Sequence, residues 1–461
     1  MPTLDIHNPA TGQLVTTLAA DDKASVAAKA VAARAAQPAW AALPMEQRLA
    51  TIRAFRAALV TDLDSLATTL TQEMGKPISQ AKGEIKGVLH RIDFFLEQTE
   101  RSVADEHAFS GGGVHERISH TALGVVANIS AWNYPYFVGC NVIVPALLTG
   151  NAVLYKPSEH ATLTGLHITR LLHAAGVPKG VMQCLVGAGP VGAALLDQRI
   201  DGLYFTGSHA TGQRIAVALA PRLVKLQLEL GGKDPSYVRE DMNSPADLKT
   251  AAESLADGAM YNSGQSCCSV ERIYVHESLH DAFVQHFLAT VAILKMGDPL
   301  AADTYFGAIA REPQLALLEA QVADAVAKGA TLHGAGKRRA GPGNWFEPAV
   351  LTNVNHTMTL MREESFGPVI GIQKVGSDEE AVALMNDTRY GLTAGVYTKD
   401  ETVARALLAQ VNAGSVYWNC CDRVSPRLPW SGHGDSGLGL TLSHHGILAF
   451  TRPKAWHLRS T

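Results

Sequence analysis

Gly202-Leu203-Tyr204-Phe205-Thr206-Gly207-Ser208-His209-Ala210-Thr211-Gly212, followed by Lys225-Leu226-Gln227-Leu228-Glu229-Leu230-Gly231-Gly232-Lys233, is the stretch that decides the fold. Its first five residues are a short apolar run of the kind that builds a buried strand, and Gly207 ends it at the start of a helix. The second run alternates, with Lys225, Gln227 and Glu229 on one face and the leucines on the other, as a strand requires. Strands that alternate with helices imply a parallel sheet in an α/β fold.

The pattern extends in both directions. Upstream, strands are predicted at 124–129 and 152–156, with helices at 162–175 and 190–198. Downstream of Gly231-Gly232 a second set begins: helix 245–261, strand 272–276, a helix to about 294, strand 369–375, helix 378–386, strand 395–397, helix 401–410 and strand 414–418. The first hundred residues read as helical, over 21–40, 45–74 and 79–100, with Gly75-Lys76-Pro77 as a stop. Two open parallel sheets therefore meet near residue 231. Such sheets bind ligands beyond the carboxyl ends of their strands, and the cleft between them is the expected active site.

Bulk properties narrow the function classes. The chain has 461 residues and is 47% hydrophobic, enough for two or three domains with large cores. Its formal net charge is -4 with no Lys/Arg-rich run, which argues against nucleic-acid binding. No charged residue occurs from Trp132 to Tyr155, a length that could span a bilayer. Asn133, Pro135, Asn141, Pro145 and Gly150 would disrupt a lipid-facing helix, so the stretch reads as a buried helix and strand. The start of the chain has no basic region followed by an apolar one, and a cytoplasmic protein is expected. The 6 cysteines include the adjacent pairs Cys267-Cys268 and Cys420-Cys421, and they read as reduced thiols.

Several short segments could carry chemistry. Gly264-Gln265-Ser266-Cys267-Cys268 follows a helix and precedes a strand, which sets the thiols on a turn. A thiolate is the strong neutral-pH nucleophile among side chains, although two buried small hydrophobes would look the same. Glu229 ends its strand and could act as a base on water if burial raises its pKa, or it could be a solvated edge residue. Gly207-Ser208 could face a pyrophosphate with helix-start N–H groups, or simply cap a turn. Asn133 could donate to an oxyanion, or stiffen a turn with Pro135. Lys156 and Glu159 could reach ribose hydroxyls, or form a surface pair. Glu363-Glu364-Ser365-Phe366-Gly367-Pro368 could be no more than an acidic turn. No metal site is expected.

Together the segments resemble the aldehyde dehydrogenase superfamily over nearly the whole chain. Asn8-Pro9-Ala10-Thr11-Gly12 looks like its opening. Then come, in family order, Trp132-Asn133-Tyr134-Pro135, Lys156-Pro157-Ser158-Glu159, Phe205-Thr206-Gly207-Ser208, Glu229-Leu230-Gly231-Gly232, Gly264-Gln265-Ser266-Cys267, Glu363-Glu364-Ser365-Phe366-Gly367-Pro368 and Pro429-Trp430-Ser431-Gly432. The resemblance implies a Rossmann-like cofactor domain (1–100 and 123–231), an α/β catalytic domain (232–441) and a small β oligomerisation arm (101–122 and 442–461), in a homodimer or homotetramer. It implies oxidation of a small-molecule aldehyde to an acid with NAD(P)+. Cys267 would be the nucleophile that forms a thioester, Glu229 the base, and Asn133 with the Cys267 N–H the oxyanion hole. Trp132, Lys156, Ser158, Glu159, Gly207, Ser208, Leu230, Glu364 and Phe366 would bind the cofactor. Glu159 suits a free 2′-hydroxyl, so NAD is preferred, with NADP as the alternative.

Tyr134, Phe137, Trp430 and Trp418 are expected in the aldehyde tunnel, with Arg427 and Arg423 as candidate partners of a distal carboxylate. A semialdehyde dehydrogenase, a coenzyme A-acylating relative and a non-catalytic family member remain alternatives. Three features depart from the family pattern. No basic residue occurs between Trp132 and Lys156, where many members carry Lys or Arg. Trp430, Ser431 and Gly434 replace commoner types, and Pro453 is expected to interrupt a terminal strand.

Overall fold

Residues 2–460 are described by a computed structural model. Two sheets organise it. The first has six strands in the order Gly437–Leu438, Lys225–Glu229, Gly202–Thr206, Val125–Ile129, Ala152–Lys156 and Met182–Cys184. All pair in parallel except Gly437–Leu438, which returns late in the chain to lie antiparallel beside Glu229. The chain starts this sheet in the middle at Val125–Ile129, builds outward through Ala152–Lys156 and Met182–Cys184, then crosses back to Gly202–Thr206 on the other side. The switch point therefore falls between the ends of Val125–Ile129 and Gly202–Thr206, where an open α/β sheet leaves a crevice.

The second sheet has seven strands: Thr331–Gly334, Ala349–Thr352, Val369–Val375, Val270–His276, Asp234–Val238, Thr393–Tyr397 and Ser415–Trp418. Only the outer pair, Thr331–Gly334 with Ala349–Thr352, is antiparallel. Successive residues of its central strands feed separate cores. Tyr237 and Tyr274 pack with Leu318 and Met361 on one face, whereas Val238 and Ile273 pack with Leu255 and Phe283 on the other. This two-residue alternation is why these strands must be apolar on both sides. The two sheets part between Glu229 and Asp234, in line with the switch expected near residue 231.

The N-terminal helices cover the first sheet through Trp40, Phe55, Ile85 and Phe95, all buried. The single helical stretch expected over 45–74 is instead two helices, Met45–Thr61 and Leu63–Met74, which break at Asp62. Gly75 ends the second with φ 84, a left-handed cap that glycine adopts without strain. A hairpin, Thr3–His7 with Leu14–Ala19, and the helix Glu312–Ala327 are additions to the expected set.

A third sheet joins Glu106–Gly111, Val114–Ala122 and the terminal strand Thr451–Arg459. The expectation that Pro453 interrupts that strand is corrected: pairing runs unbroken from Thr451↔Ala122 to Arg459↔Val114. Thr451–Arg459 is the edge of its sheet, and an edge strand tolerates a residue with no N–H to give. Among the described residues no helix is long and apolar enough to cross a membrane, and the stretch 132–155 folds as the helix Pro135–Leu148 and the buried strand Ala152–Lys156.

Candidate active site

The helix Pro245–Met260 delivers the chain to a contorted turn. Asn262, Ser263 and Gly264 all have positive φ, at 54, 55 and 71. Such backbone costs about 1–3 kcal/mol at each non-glycine residue, so surrounding bonds must hold it. The Gln265 side chain donates to the Asn262 carbonyl at 3.0 Å and accepts from the Ala310 N–H at 2.9 Å. The Asn262 amide donates to the carbonyls of Gln265 at 3.0 Å and Asn133 at 3.2 Å. A side chain at Gly264 would collide with the Gly367 carbonyl. The turn leaves Cys267 half-buried, while Cys268 points inward and donates to Asp422 Oδ1 at 3.0 Å. All six cysteines are free thiols.

Cys267 stands in the walls of two cavities, and among the described residues it alone lines both. One, of about 410 Å³, is bounded by Trp132, Asn133, Gly207, Leu230, Glu364 and Phe366. The other, of about 360 Å³, is bounded by Tyr134, Phe137, Trp430 and several charged groups. Asn133 is buried beside the thiol turn, where its Nδ2 donates to the Gln265 carbonyl at 3.2 Å.

Glu229 is not an exposed edge residue, because Gly437–Leu438 covers its strand. It is 7% exposed. One carboxylate oxygen accepts from Gln227 Nε2 at 2.7 Å and Thr441 Oγ1 at 3.3 Å, and the other has no hydrogen-bond partner among the described residues. Burial pushes its pKa up to about 8. The Gln227 bond follows directly from the strand alternation that puts both residues on one face.

A further cavity of about 460 Å³ lies at the switch point of the first sheet, lined by Lys156, Ser158, Glu159 and Gly207. It shares Ala131, Trp132, Thr206 and Gly207 with the cavity that reaches Cys267, which gives an elongated cleft. Lys156 is buried with its ammonium 3.4 Å from Glu159. Burial opposes the charge on Glu159, but Lys156 and nearby donors outweigh it and hold the carboxyl below its ordinary value. Ser208 precedes the helix His209–Leu219 and leaves the helix-start N–H groups free of a side-chain cap. Gly212 permits close packing on Leu230, which any larger residue would strike. At the other end Glu364 accepts from the Gly232 N–H at 3.0 Å, Trp132 meets Phe366 edge-on at 5.5 Å, and Glu271 fixes the loop through the N–H groups of Ser365 and Phe366. A long cleft with amide donors at a helix start and carboxylates near both ends suits a dinucleotide.

Two expected tunnel residues lie elsewhere. Trp418 is on the outer strand of the second sheet, tied through its indole to the Thr398 carbonyl, away from the cavity wall. Arg427 is exposed and off the cavity, because the loop turns outward after Val424. Arg423 does line the cavity but is itself exposed.

Buried charges that the sequence reading passed over stand in their place. Lys76, read only as part of a helix stop, is buried and ion-paired to Glu84; it donates to the Asn133 carbonyl at 2.6 Å and lies 3.8 Å over the Tyr134 ring. Glu84 in turn accepts from the Tyr136 N–H at 2.8 Å. Arg91, from the helix Ile78–Ser102, enters the cavity wall over the Phe137 ring at 3.9 Å. It supplies a cation to a wall whose own helix, Pro135–Leu148, has none.

The Aldehyde dehydrogenase family model matches residues 2–456, and the chain belongs to that family. Its relatives include 3,6-anhydro-alpha-L-galactose dehydrogenase of Streptomyces coelicolor, 37% identical over 99% of this chain and 93% of that one. Succinate-semialdehyde dehydrogenase (NADP+) 1 of Mycobacterium tuberculosis is 34% identical over 97% of this chain and 98% of its own. Among solved structures, a succinate-semialdehyde dehydrogenase from Burkholderia pseudomallei superposes with a TM-score of 0.96 at 34% identity, covering 100% of this chain and 95% of that one.

Proposed function

We propose that the protein oxidises an aldehyde to a carboxylic acid with NAD(P)+ through a thioester on Cys267. The observation that carries this reading is the position of Cys267, shared by the dinucleotide-shaped cleft and the polar, aromatic-walled cavity. The Cys267 thiolate attacks the aldehyde carbon, and the carbonyl pair moves onto oxygen. Asn133 Nδ2 and the Cys267 N–H stabilise that oxyanion. Nicotinamide, when bound in the cleft, supplies the acceptor for the hydride expelled as the carbonyl re-forms. The thioester left on Cys267 is opened by water that gives its proton to Glu229, and the thiolate departs. The unpartnered Glu229 oxygen supports this role. It also favours hydrolysis over transfer to coenzyme A, which needs no base for water.

Lys156, Ser158 and Glu159 would hold the adenosine ribose, Gly207 and Ser208 the pyrophosphate, and Glu364 and Phe366 the nicotinamide ribose, between Trp132 and Leu230. Glu159 would make NAD the preferred form, since its carboxylate repels a 2′-phosphate. Residues 1–100 with 123–231 would form the cofactor domain and 232–441 the catalytic one. Residues 101–122 with 442–461 would form the arm of a dimer or tetramer, testable by light scattering after deletion of the terminal strand.

The deciding experiment follows reduced-cofactor absorbance with either cofactor against neutral aldehydes, semialdehydes and sugar aldehydes. The expected result is acid formation that disappears in Cys267→Ala. Turnover undiminished in that variant, or acyl-CoA formed as fast as acid, would overturn the mechanism.

A further inference from the structure

Arg91 is a buried cation that the catalytic scheme does not use. It is 7% exposed, and its one hydrogen bond to a described residue goes from Nη1 to the neutral Asn141 Oδ1 at 3.1 Å. It forms no ion pair with any described residue. Burial lowers its pKa, but only to about 10, so it stays charged at neutral pH. A guanidinium carries five N–H donors, and a desolvated charge without a counter-ion is costly. None of the carboxylates in the cavity wall bonds to it: Glu84 pairs with Lys76, Asp422 accepts from the Cys268 thiol at 3.0 Å, and Asp257 accepts from the Tyr305 hydroxyl at 2.7 Å, so they act on Arg91 only through space. Arg91 nonetheless lines the same cavity as Cys267.

We propose that Arg91 anchors the far end of the substrate and that this end is a carboxylate, so the cavity selects semialdehydes over neutral aldehydes. The proposal rests on the dehydrogenase reading of the site and names its substrate class. A carboxylate can take two parallel N–H bonds from the free side of the guanidinium, a charge-assisted pair that no described residue makes with it. A neutral polyol could accept hydrogen bonds but would form no charge-assisted pair. Stacking on Phe137 and the bond to Asn141 fix the guanidinium plane before substrate arrives, so little ordering is needed on binding.

The test compares wild type with Arg91→Gln and Arg91→Lys, using succinic and glutaric semialdehydes, neutral aldehydes of matching length and a polyhydroxylated aldehyde. Wild type is expected to favour a semialdehyde. Arg91→Gln is expected to lose about 100-fold in kcat/KM for it, chiefly in KM, and to change little toward neutral aldehydes, with Arg91→Lys between the two. Equal losses for charged and neutral substrates would overturn the proposal in favour of a structural role, as would a wild-type preference for the polyol. Calorimetric binding of glutarate and butyrate gives a readout independent of turnover. Glutarate binding that depends on Arg91 supports the anchor even if no aldehyde is oxidised, a result that would sink the dehydrogenase reading alone. Aldehyde oxidation with glutarate bound no better than butyrate sinks the anchor alone.

Discussion

The two cavities that meet at Cys267 are built differently. The dinucleotide-shaped cleft is built on strand ends at Ile129, Lys156, Thr206 and Glu229 and on the turns that follow them, with the helix Glu312–Ala327 in its wall. The aromatic-walled cavity is made of side chains carried mainly by the helices Ile78–Ser102 and Pro135–Leu148 and by the loop after Ser415–Trp418, including the buried charges Glu84 and Arg91. A cleft built from strand ends leaves contiguous motifs in the sequence. A cavity built from side chains on separated elements leaves none, yet its charges would set which aldehyde fits.

Each side of this contrast can be broken separately. The largest expected effect is on stability at the substrate side. Lys76→Met leaves Glu84 charged and unpaired in the interior, and is expected to cost about 3–5 kcal/mol in denaturant unfolding. Lys76→Met with Glu84→Gln should recover much of that loss; no recovery would show that the pair does not act as a unit. At the junction, Asn133→Ala is expected to lower kcat by about 100- to 1000-fold with cofactor affinity unchanged by fluorescence titration. A loss of cofactor binding instead would mean that Asn133 shapes the cleft.

Glu229 gives the next effect, in pH. Burial raises its pKa from 4.5 to about 8, so the carboxylate that accepts a proton from water dominates only above that pH. Hydrolysis-limited turnover is therefore expected to rise with pH and level off above about 8. The same raised pKa means that the folded state holds this proton more tightly than the unfolded state. Stability is thus lost as pH climbs through the interval from 4.5 to about 8, a slope that Glu229→Gln should reduce in thermal melts. The smallest effect is in the cleft: Glu159→Gln is expected to shift the NAD/NADP ratio of kcat/KM toward NADP by about tenfold, one like-charge contact removed. An unchanged ratio would assign cofactor choice to other residues, such as Arg214 in the same cavity.

The same contrast explains what could be read from sequence. Alternation in Lys225–Glu229 placed Gln227 and Glu229 on one face, and they are hydrogen-bonded there. The turn before Cys267 was legible from Gly264, though not its three consecutive positive-φ residues, since Asn262 and Ser263 adopt them only because Gln265 and Asn133 tie them down. Lys76 looked like part of a helix stop because its partner, Glu84, sits eight residues on, inside the helix Ile78–Ser102, and nothing local to Arg91 in the same helix marks it as part of a cavity wall. Arg427 was misplaced because proximity in a loop says nothing about the side on which a side chain emerges, and Trp418 because it ends an outer strand that ties its indole to the Thr398 carbonyl. The helix Glu312–Ala327 escaped because its alanines blur the apolar period, and Thr331–Gly334 is short and largely unburied.

The most direct test of the central claim is the intact mass of Glu229→Gln after mixing with NAD and an aldehyde substrate. One equivalent of NADH is expected, with an acyl adduct on the Cys267 peptide that persists because water is no longer activated. Steady turnover with no adduct, or an adduct on another residue, would contradict the assignment of Cys267 and Glu229 as the nucleophile and base of one reaction.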